Sequence, residues 1–356
     1  MSFLGEGGDG FTVASGLVGL RCEEDVPRVN YCSFHYDEGG VMKKLTYVVS
    51  FLAVILICAQ AYAIQISSPI VDSAWLEAIM DDEKNNGNLV ILEVGKKFEE
   101  DHIPGAIFVD FSKVRSERYV DGYWMIKLLP LPDEFQTLMQ ASGVNKDSAI
   151  VITNAGTHYD EVTFGTRLYW TLKYYGHDNM AVLDGGNAQW NKEDRPVSNA
   201  PSAPGTGNYE VTAQRDEILA TTAEVQDVQG DDDVQLVDVR DLQFYLGMVR
   251  KKSYIYADGT IEGARHLPPN LLIDYHAPYV FMDKDLIVQA MQAIGINPYK
   301  ETIGTCNSAH QASGLWFILH EVIGNKKVKL HDESLHGWTM RGLPTMTMQI
   351  EEMEED

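Results

Sequence analysis

The chain has 356 residues and carries 52 acidic against 28 basic side chains, a formal net charge of -24 at neutral pH. This length is sufficient for two domains, each with its own hydrophobic core. So strong a negative charge repels polyanions, which argues against nucleic acid or an anionic membrane surface as a partner. An anionic ligand would need local donors that overcome this field.

The first element in chain order is a secretory signal peptide, predicted for residues 42–63. Two lysines open it, an apolar stretch covers residues 45–58, and Ala63 ends a small-residue cleavage site. The alternative is a membrane anchor, but the apolar stretch is shorter than the roughly 20 residues that span a bilayer. We expect Met42 to be the true start, and residues 1–41 to be a non-native or disordered extension.

Cleavage after Ala63 would leave a mature chain with a single cysteine. It would remove Cys22, Cys32 and Cys58 and retain Cys306. An export signal and one thiol predict a bacterial periplasmic protein with no stable membrane association after cleavage. One cysteine cannot form an internal disulfide, and a free thiol kept in an oxidising compartment indicates a use for its reactivity.

The mature chain repeats one pattern of short apolar strands and helical segments. The first copy has predicted strands at 89–94, 149–153 and 180–183 and a helix near 164–175. Alternation of this kind predicts α/β units with a parallel sheet.

The second copy has predicted strands at 234–239 and 328–330, another ending at Thr305, and a helix near 315–323. In each copy a tryptophan follows an aspartate by six residues, which indicates duplication of a whole domain. The predicted organisation is a first domain, a linker rich in Pro, Gly and Ser, a second domain and an acidic tail, at residues 70–198, 199–215, 216–345 and 346–356.

The repeat places Asn154 where the second copy has Cys306, because a histidine follows each by four residues, His158 and His310. We therefore expect the second domain to hold the nucleophile, and the first to support it and wall the cleft between them. Cys306 precedes the helical stretch 311–322. Unpaired N–H groups and the dipole at a helix N-terminus favour a thiolate, which is the nucleophilic form.

Together these motifs resemble a tandem-domain rhodanese. The resemblance covers about residues 70–345 and is carried by the segments 102–106 (HIPGA), 184–190, 236–240 (LVDVR) and the Cys306 loop. It implies two doubly wound parallel sheets with helices on both faces, an inactive first domain and a catalytic second domain. It also implies a Cys306 persulfide, thiosulfate or 3-mercaptopyruvate as sulfur donor, and no cofactor.

The chemistry can be stated from the residues. A sulfurtransferase needs a thiolate that attacks the outer sulfur of a small anionic donor and then passes that sulfur to cyanide or a thiol. We expect the backbone amides after Cys306 to form an anion-binding nest. The residue six positions after the cysteine is Ala312, where cysteine phosphatases carry a phosphate-clamping arginine. The predicted substrate-binding loop consists of Asn307, Ser308, Ala309, His310 and Gln311.

Arg240 is the predicted anchor for the donor. It ends a strand of the second copy, and ligands bind at the carboxyl ends of strands in open α/β sheets. Family members carry a substrate-binding arginine there. The alternative is a structural pairing with Asp238 or Asp241. Three roles stay open for His310: it tunes the thiolate, it donates to the substrate, or it is exposed and idle.

Two readings of the donor stay open. Ser308 matches mercaptopyruvate-type members, but Met248 occupies the place of their second arginine. The insertion 247–256 and the Cys-Asn-x-x-His loop resemble bacterial thiosulfate sulfurtransferases, so thiosulfate is the predicted donor. Arg250, Lys251 or Lys252 could supply the missing charge.

A rival from another class is a non-catalytic protein that senses sulfide or redox state through Cys306. The sequence shows no metal-ligand spacing of His, Cys, Asp or Glu and no Gly-rich phosphate fingerprint.

Overall fold

The computed structural model describes residues 21–22, 32–33, 64–82, 86–98, 100–251 and 253–348. The strands Arg21–Cys22 and Cys32–Ser33 pair antiparallel. The predicted signal peptide, and with it the choice of Met42 as start, lies outside the described residues. All other described elements belong to one compact unit that starts at residue 62.

Domain 1 is built on a sheet of five parallel strands in the order β1-β7-β6-β2-β3. The strands β4 and β5 form a separate antiparallel hairpin. Short 3-10 turns lie at Asn86–Asn88 and Phe111–Val114. In chain order the elements are β1 (Ile70–Val71), α1 (Ser73–Asp81), β2 (Leu89–Gly95), β3 (Ile107–Asp110), β4 (Ser116–Val120), β5 (Tyr123–Leu128), α2 (Pro132–Ala141), β6 (Ala149–Thr153), α3 (Tyr159–Tyr174), β7 (Met180–Leu183) and α4 (Gly186–Lys192).

Domain 2 repeats this plan with the order β8-β13-β12-β9-β11, again all parallel. The strands β10 and β14 pair antiparallel beside it. Short 3-10 turns lie at Asp216–Ile218 and Pro269–Leu271. The elements are β8 (Leu219–Ala220), α5 (Thr222–Asp227), β9 (Val234–Asp238), α6 (Leu242–Tyr245), β10 (Thr260–Ile261), β11 (Arg265–His266), α7 (Lys284–Ala293), β12 (Glu301–Thr305), α8 (Ala312–Trp316), a π-helix (Phe317–Ile323), β13 (Val328–His331), α9 (Ser334–Met340) and β14 (Thr345–Met346).

The parallel sheets predicted from the alternating pattern are confirmed. All five residues of β6 are buried, because helices cover both faces of the sheet. This explains why the strand is a continuous apolar stretch with no alternation of polar residues.

Of the three hydrophobic clusters in the described residues, one spans both domains. The helix α3 of domain 1 packs on α8 of domain 2, and the hydroxyls of Thr166 and Ser313 lie 2.8 Å apart across this contact. A Cβ added at Gly314 would lie 3.2 Å from the methyl group of Thr163, so a glycine permits the close approach of the helices. The helix α3 is almost entirely buried as a result.

The repeated aspartates make equivalent contacts across this interface. Asp184 of domain 1 accepts a hydrogen bond from the Phe281 backbone of domain 2, at 2.8 Å. Asp332 of domain 2 accepts one from the Leu129 backbone of domain 1, also at 2.8 Å. The duplication seen in the sequence is therefore a pseudo-symmetric pair of domains that hold each other through matching residues.

Among the residues that the structure describes, no helix is both long and apolar enough to cross a membrane.

Candidate active site

Cys306 lies directly after β12, a central strand of the domain 2 sheet, at the carboxyl edge where ligands bind in such folds. Cys306 is only 2% exposed. The α-helical part of α8 starts six residues later, at Ala312, and lasts five residues before the π-helix begins. The helix dipole is therefore a smaller influence on the sulfur than the sequence predicts, because its effect falls off within the first turn.

The hydroxyl of Ser334 organises the cysteine loop. It accepts hydrogen bonds from the backbone N–H groups of Cys306 (3.3 Å) and Ala309 (3.0 Å), and it donates to the His331 carbonyl at 2.8 Å. The backbone amide of Ala309 is therefore already bonded to Ser334. An anion nest built from the amides of the other loop residues stays a prediction.

Backbone geometry explains why the loop is specific to domain 2. Ser334 and Ala309 adopt left-handed φ values of 51° and 52°, a conformation that is strained for residues other than glycine. In the repeat, Ser334 corresponds to Gly186, which has the same hand with φ of 56°. Domain 1 therefore has a glycine, which adopts this φ without strain. Domain 2 has a strained serine, and the hydroxyl of that serine bonds to the cysteine loop.

His310 contacts domain 1. Its Nε2 lies 2.9 Å from the Thr163 hydroxyl and 2.9 Å from the Asp160 carbonyl, and its ring stacks on Phe164. Burial lowers the pKa of His310 to about 3, so the ring is neutral near pH 7. A neutral ring carries no positive charge with which to stabilise the thiolate. The alternative of an exposed and idle side chain is wrong, because the ring packs against domain 1. Donation from His310 to the substrate stays a prediction.

Gln311 also faces the domain interface. Its amide donates to the Tyr159 hydroxyl at 2.7 Å and to the Asp160 carboxylate at 3.1 Å. Its side chain therefore joins the two domains, and its use in binding the donor stays a prediction.

Arg240 is 2% exposed and paired with Asp238, the alternative that the sequence left open. Its Nε and Nη2 donate to the Asp238 carboxylate at 2.9 and 2.6 Å, and Nη2 also donates to the Gly259 carbonyl at 2.7 Å. The other terminal nitrogen, Nη1, reaches the side-chain oxygen of Asn307 at 3.5 Å. Arg240 thus supports the cysteine loop, and its use as the donor anchor stays a prediction.

Two cations of domain 1 approach the thiol instead. Arg115 directly precedes β4, Lys127 lies in β5, and both interact electrostatically with Cys306. Desolvation by burial, followed by repulsion from Arg167, lowers the pKa of Arg115 to about 10. Burial and then repulsion from Arg115 lower the pKa of Lys127 to about 8. Since two cations repel each other here, this is a region that would accept an anion.

The hydrogen bonding of Arg115 supports this interpretation. Its buried Nε has no hydrogen-bond partner in the structure. Within the described part of the chain, neither Arg115 nor Lys127 forms a salt bridge with a carboxylate. A buried donor without a partner is uncommon, and a ligand oxygen would satisfy it.

Tyr254 completes the surroundings of the sulfur. Its hydroxyl interacts with the side chain of Ser308, and the Lys127 ammonium lies 3.6 Å from the centre of its ring. Burial raises the pKa of Tyr254, and interaction with Cys306 contributes in the same direction. Tyr254 therefore joins a lysine of domain 1 to the cysteine loop of domain 2.

Sequence reasoning missed Arg115 and Lys127 because they belong to no motif and lie far from Cys306 along the chain. Tyr254 lies in the insertion 247–256, which the sequence singled out for other reasons. The basic residues of this insertion have different surroundings. Arg250 donates to the Tyr256 carbonyl at 2.9 Å, Lys251 lies 5.9 Å from the Tyr254 ring centre, and Lys252 is not described.

Asn154 occupies the equivalent loop of domain 1. It is 1% exposed, and its side-chain oxygen accepts a hydrogen bond from the Gly156 backbone at 2.9 Å. A carboxamide held in this way has no nucleophilic chemistry. No three His, Cys, Asp or Glu side chains of the described ranges are grouped so that they could hold a metal ion.

Comparison with known proteins identifies relatives of the whole described unit. The sulfur carrier protein TtuD of Thermus thermophilus is 26% identical over 294 residues, which covers 77% of this chain and 95% of TtuD. A protein of Saccharopolyspora erythraea with the provisional name thiosulfate sulfurtransferase is 25% identical over 280 residues, covering 77% and 92%.

Solved structures show the same fold. Tum1 of Saccharomyces cerevisiae superposes with a TM-score of 0.65 at 18% identity, covering 78% of this chain and 96% of Tum1. A variant of EanB in complex with ergothioneine gives a TM-score of 0.69 at 20% identity, covering 80% and 71%. The rhodanese-like domain family matches residues 72–193 and 221–341, more than half of the chain. The resemblance found in the sequence is thereby confirmed, and the chain belongs to the rhodanese family of sulfurtransferases, with two rhodanese-like domains in tandem.

Proposed function

We propose that this protein is a thiosulfate sulfurtransferase that carries sulfane sulfur as a persulfide on Cys306. The observation that carries the proposal is the position of Arg115 and Lys127. These two cations form no salt bridge with a carboxylate of the described residues, and both interact electrostatically with a shielded cysteine at the carboxyl edge of the domain 2 sheet. Relatives with a thiosulfate sulfurtransferase name support the same donor.

The reaction has two transfer steps. The Cys306 thiolate attacks the outer sulfur of thiosulfate, the S–S bond of the donor breaks, and sulfite leaves with the electron pair. Cyanide or a thiolate then attacks the outer sulfur of the persulfide, and the Cys306 thiolate leaves. With thiosulfate and cyanide, neither step moves a proton, so a neutral His310 is no obstacle.

Electrostatics explain how so acidic a protein binds a dianion. Opposite unit charges about 4 Å apart interact by about 4 kcal/mol where the effective dielectric constant is roughly 20, against about 1 kcal/mol in bulk water. Cys306 is shielded from solvent, so the nearby cations act at the stronger end of this range. Distant surface carboxylates are screened by salt within roughly 10 Å.

A second candidate donor is 3-mercaptopyruvate. The interacting hydroxyls of Ser308 and Tyr254 favour it, because they could hold a carboxylate or carbonyl oxygen. Loss of sulfur from this donor leaves pyruvate enolate, which must take up a proton, so the reaction would need an acid that thiosulfate does not require.

Turnover separates these functions. The purified protein is incubated with cyanide and either thiosulfate or 3-mercaptopyruvate, and thiocyanate is followed over many equivalents of enzyme. Formation of many equivalents of thiocyanate from thiosulfate supports the proposal. A preference for 3-mercaptopyruvate would identify that compound as the donor instead. One equivalent of adduct on Cys306 without turnover would favour the sensing protein. The matched control is Cys306→Ser.

We also propose export to the periplasm through the signal peptide at residues 42–63. The supporting observation is the order of basic, apolar and small residues in the sequence. Mass spectrometry of the protein from its native cells tests this, with Ile64 as the expected first residue. A mature protein that retains residues 42–63 would contradict cleavage.

A further inference from the structure

We propose that His336 is a positioning residue of this site: it holds a β-bulge of domain 1 against domain 2 and so keeps Lys127 and Tyr254 beside Cys306. The inference rests on the proposed function for its meaning, but its test measures the environment of the thiol without turnover.

The bulge lies in the hairpin of β4 and β5. Glu117 faces two residues of the opposite strand, Ile126 and Lys127, where a regular ladder would provide one. A bulge leaves the extra residue unpaired and redirects side chains. Lys127 also has a left-handed φ of 64°, a strained conformation for lysine. The register that defines the bulge is Ser116 opposite Leu128 and Arg118 opposite Met125.

His336 receives the backbone group that the bulge releases. Its Nε2 lies 3.2 Å from the Ile126 backbone nitrogen, and Nε2 must accept this hydrogen bond because an amide N–H can only donate. Its Nδ1 lies 2.8 Å from the Tyr254 carbonyl and must donate to it. One neutral tautomer satisfies both contacts.

The same residue is fixed to the cysteine loop. The backbone N–H of His336 donates to the Asn307 carbonyl at 3.1 Å. His336 is 1% exposed, so water does not compete for these contacts. A single residue is therefore bonded to the domain 1 bulge, to the segment that carries Tyr254, and to the loop that carries the nucleophile.

Neighbouring contacts hold the rest of the hairpin without His336. Asp332 accepts from the Leu129 backbone at 2.8 Å, and Arg341 pairs with Asp121 at 3.0 Å. Loss of the imidazole should therefore release the bulge while the hairpin stays docked. We therefore assign His336 a role in positioning Lys127, and the neighbouring contacts a role in folding of the hairpin.

The test compares alkylation of Cys306 by iodoacetate, an anion, and by iodoacetamide, which is neutral. The ratio of the two rates reports the positive field at the sulfur. We expect His336→Leu to lower the ratio by roughly fivefold, because displacement of Lys127 removes part of the positive field at the sulfur. The Michaelis constant for thiosulfate should rise more than kcat falls.

Three further variants make the result specific. His336→Gln, whose amide offers both a donor and an acceptor, should restore much of the ratio. Lys127→Ala by itself should lower the ratio of the two alkylation rates. Adding His336→Leu to Lys127→Ala should lower this ratio little further. Asn325→Ala is the matched control, because Asn325 is buried before β13, where it donates to the Lys300 carbonyl at the opposite edge of the sheet.

Each result decides the proposal. A folded His336→Leu protein with the wild-type ratio, or full additivity with Lys127→Ala, would overturn it. If His336→Leu does not fold, His336→Asn is read by the same ratio, since it is too short to satisfy both contacts. Absence of thiosulfate turnover in the wild type would refute the proposed function and leave the alkylation test valid.

Discussion

Replacement of Lys127 by methionine tests the composite site most directly. The change keeps the length of the side chain and removes its charge. Lys127 is half-buried and interacts electrostatically with a thiol that is 2% exposed. The contact that we propose to a thiosulfate oxygen is charge-assisted, and its loss should cost about 2 kcal/mol. This predicts a Michaelis constant for thiosulfate about 30-fold higher.

The pH dependence adds a second signature. Burial lowers the pKa of Lys127 to about 8, so the ammonium is charged below this pH and loses its proton above it. The Michaelis constant of the wild type should therefore rise as pH increases through about 8. In Lys127→Met this rise should disappear, because the titrating group is absent.

Stability should change in the opposite direction to activity. The folded state binds a proton on Lys127 less tightly than the unfolded chain, whose lysine titrates at its ordinary value of 10.5. The charged lysine therefore destabilises the fold near pH 7, and this cost fades as pH rises from about 8 to 10.5. We expect Lys127→Met to have a higher melting temperature at pH 7, with a gain that shrinks across this window.

Steady-state kinetics with thiosulfate and cyanide from pH 6 to 10 provide the assay. Lys146→Met is the matched control, because Lys146 is an exposed lysine of domain 1 that pairs with Glu210. It removes the same charge away from the site and should leave the Michaelis constant unchanged. An unchanged constant in Lys127→Met, or a pH limb that persists in it, would refute the assignment of the cation site to domain 1.

Three other predictions follow from the same contacts. Cys306→Ser should abolish thiocyanate formation while circular dichroism and the melting temperature stay close to wild type; residual catalysis would contradict a persulfide on Cys306. Ser334→Gly should relieve the left-handed strain but lose the hydroxyl under Cys306 and Ala309, so kcat should fall at least tenfold with little change in stability; retained kcat would show that the loop needs no hydroxyl. The pKa of Glu321 is about 2: burial opposes its ionisation, but a hydrogen bond from His320 and nearby lysines more than compensate. Its carboxylate therefore stabilises the fold above about pH 4.5, and this contribution is lost as pH falls towards 2. Glu321→Gln should be less stable than wild type in urea at pH 7, with a difference that shrinks below pH 4.5; a constant difference would contradict this linkage.

The contacts of Glu321 also matter for the domain interface. Its carboxylate accepts from the Tyr169 hydroxyl of domain 1 at 2.8 Å and pairs with Lys173 of the same helix at 3.5 Å. Protonation of Glu321 in acid would therefore weaken the contact between α3 of domain 1 and the π-helix of domain 2.

The sequence by itself determined the fold class, and it predicted the nucleophile. Continuous apolar strands are buried on both faces in a parallel sheet, so their pattern identifies the sheet without further information. The repeated spacing of Asp184 to Trp190 and Asp332 to Trp338 identified the duplication, and the alignment of Asn154 with Cys306 identified the domain that holds the thiol. These features depend on local spacing, which a sequence records directly.

Only the tertiary structure decided which charges face the sulfur. Arg240 belongs to a sequence motif, but it is paired with Asp238. Arg115 and Lys127 belong to no motif, and they interact with Cys306 from the other domain. The physical reason is that a side chain's charge acts through space. Whether it is compensated depends on the folded neighbours, and the thiol on which these cations act lies more than a hundred residues away along the chain.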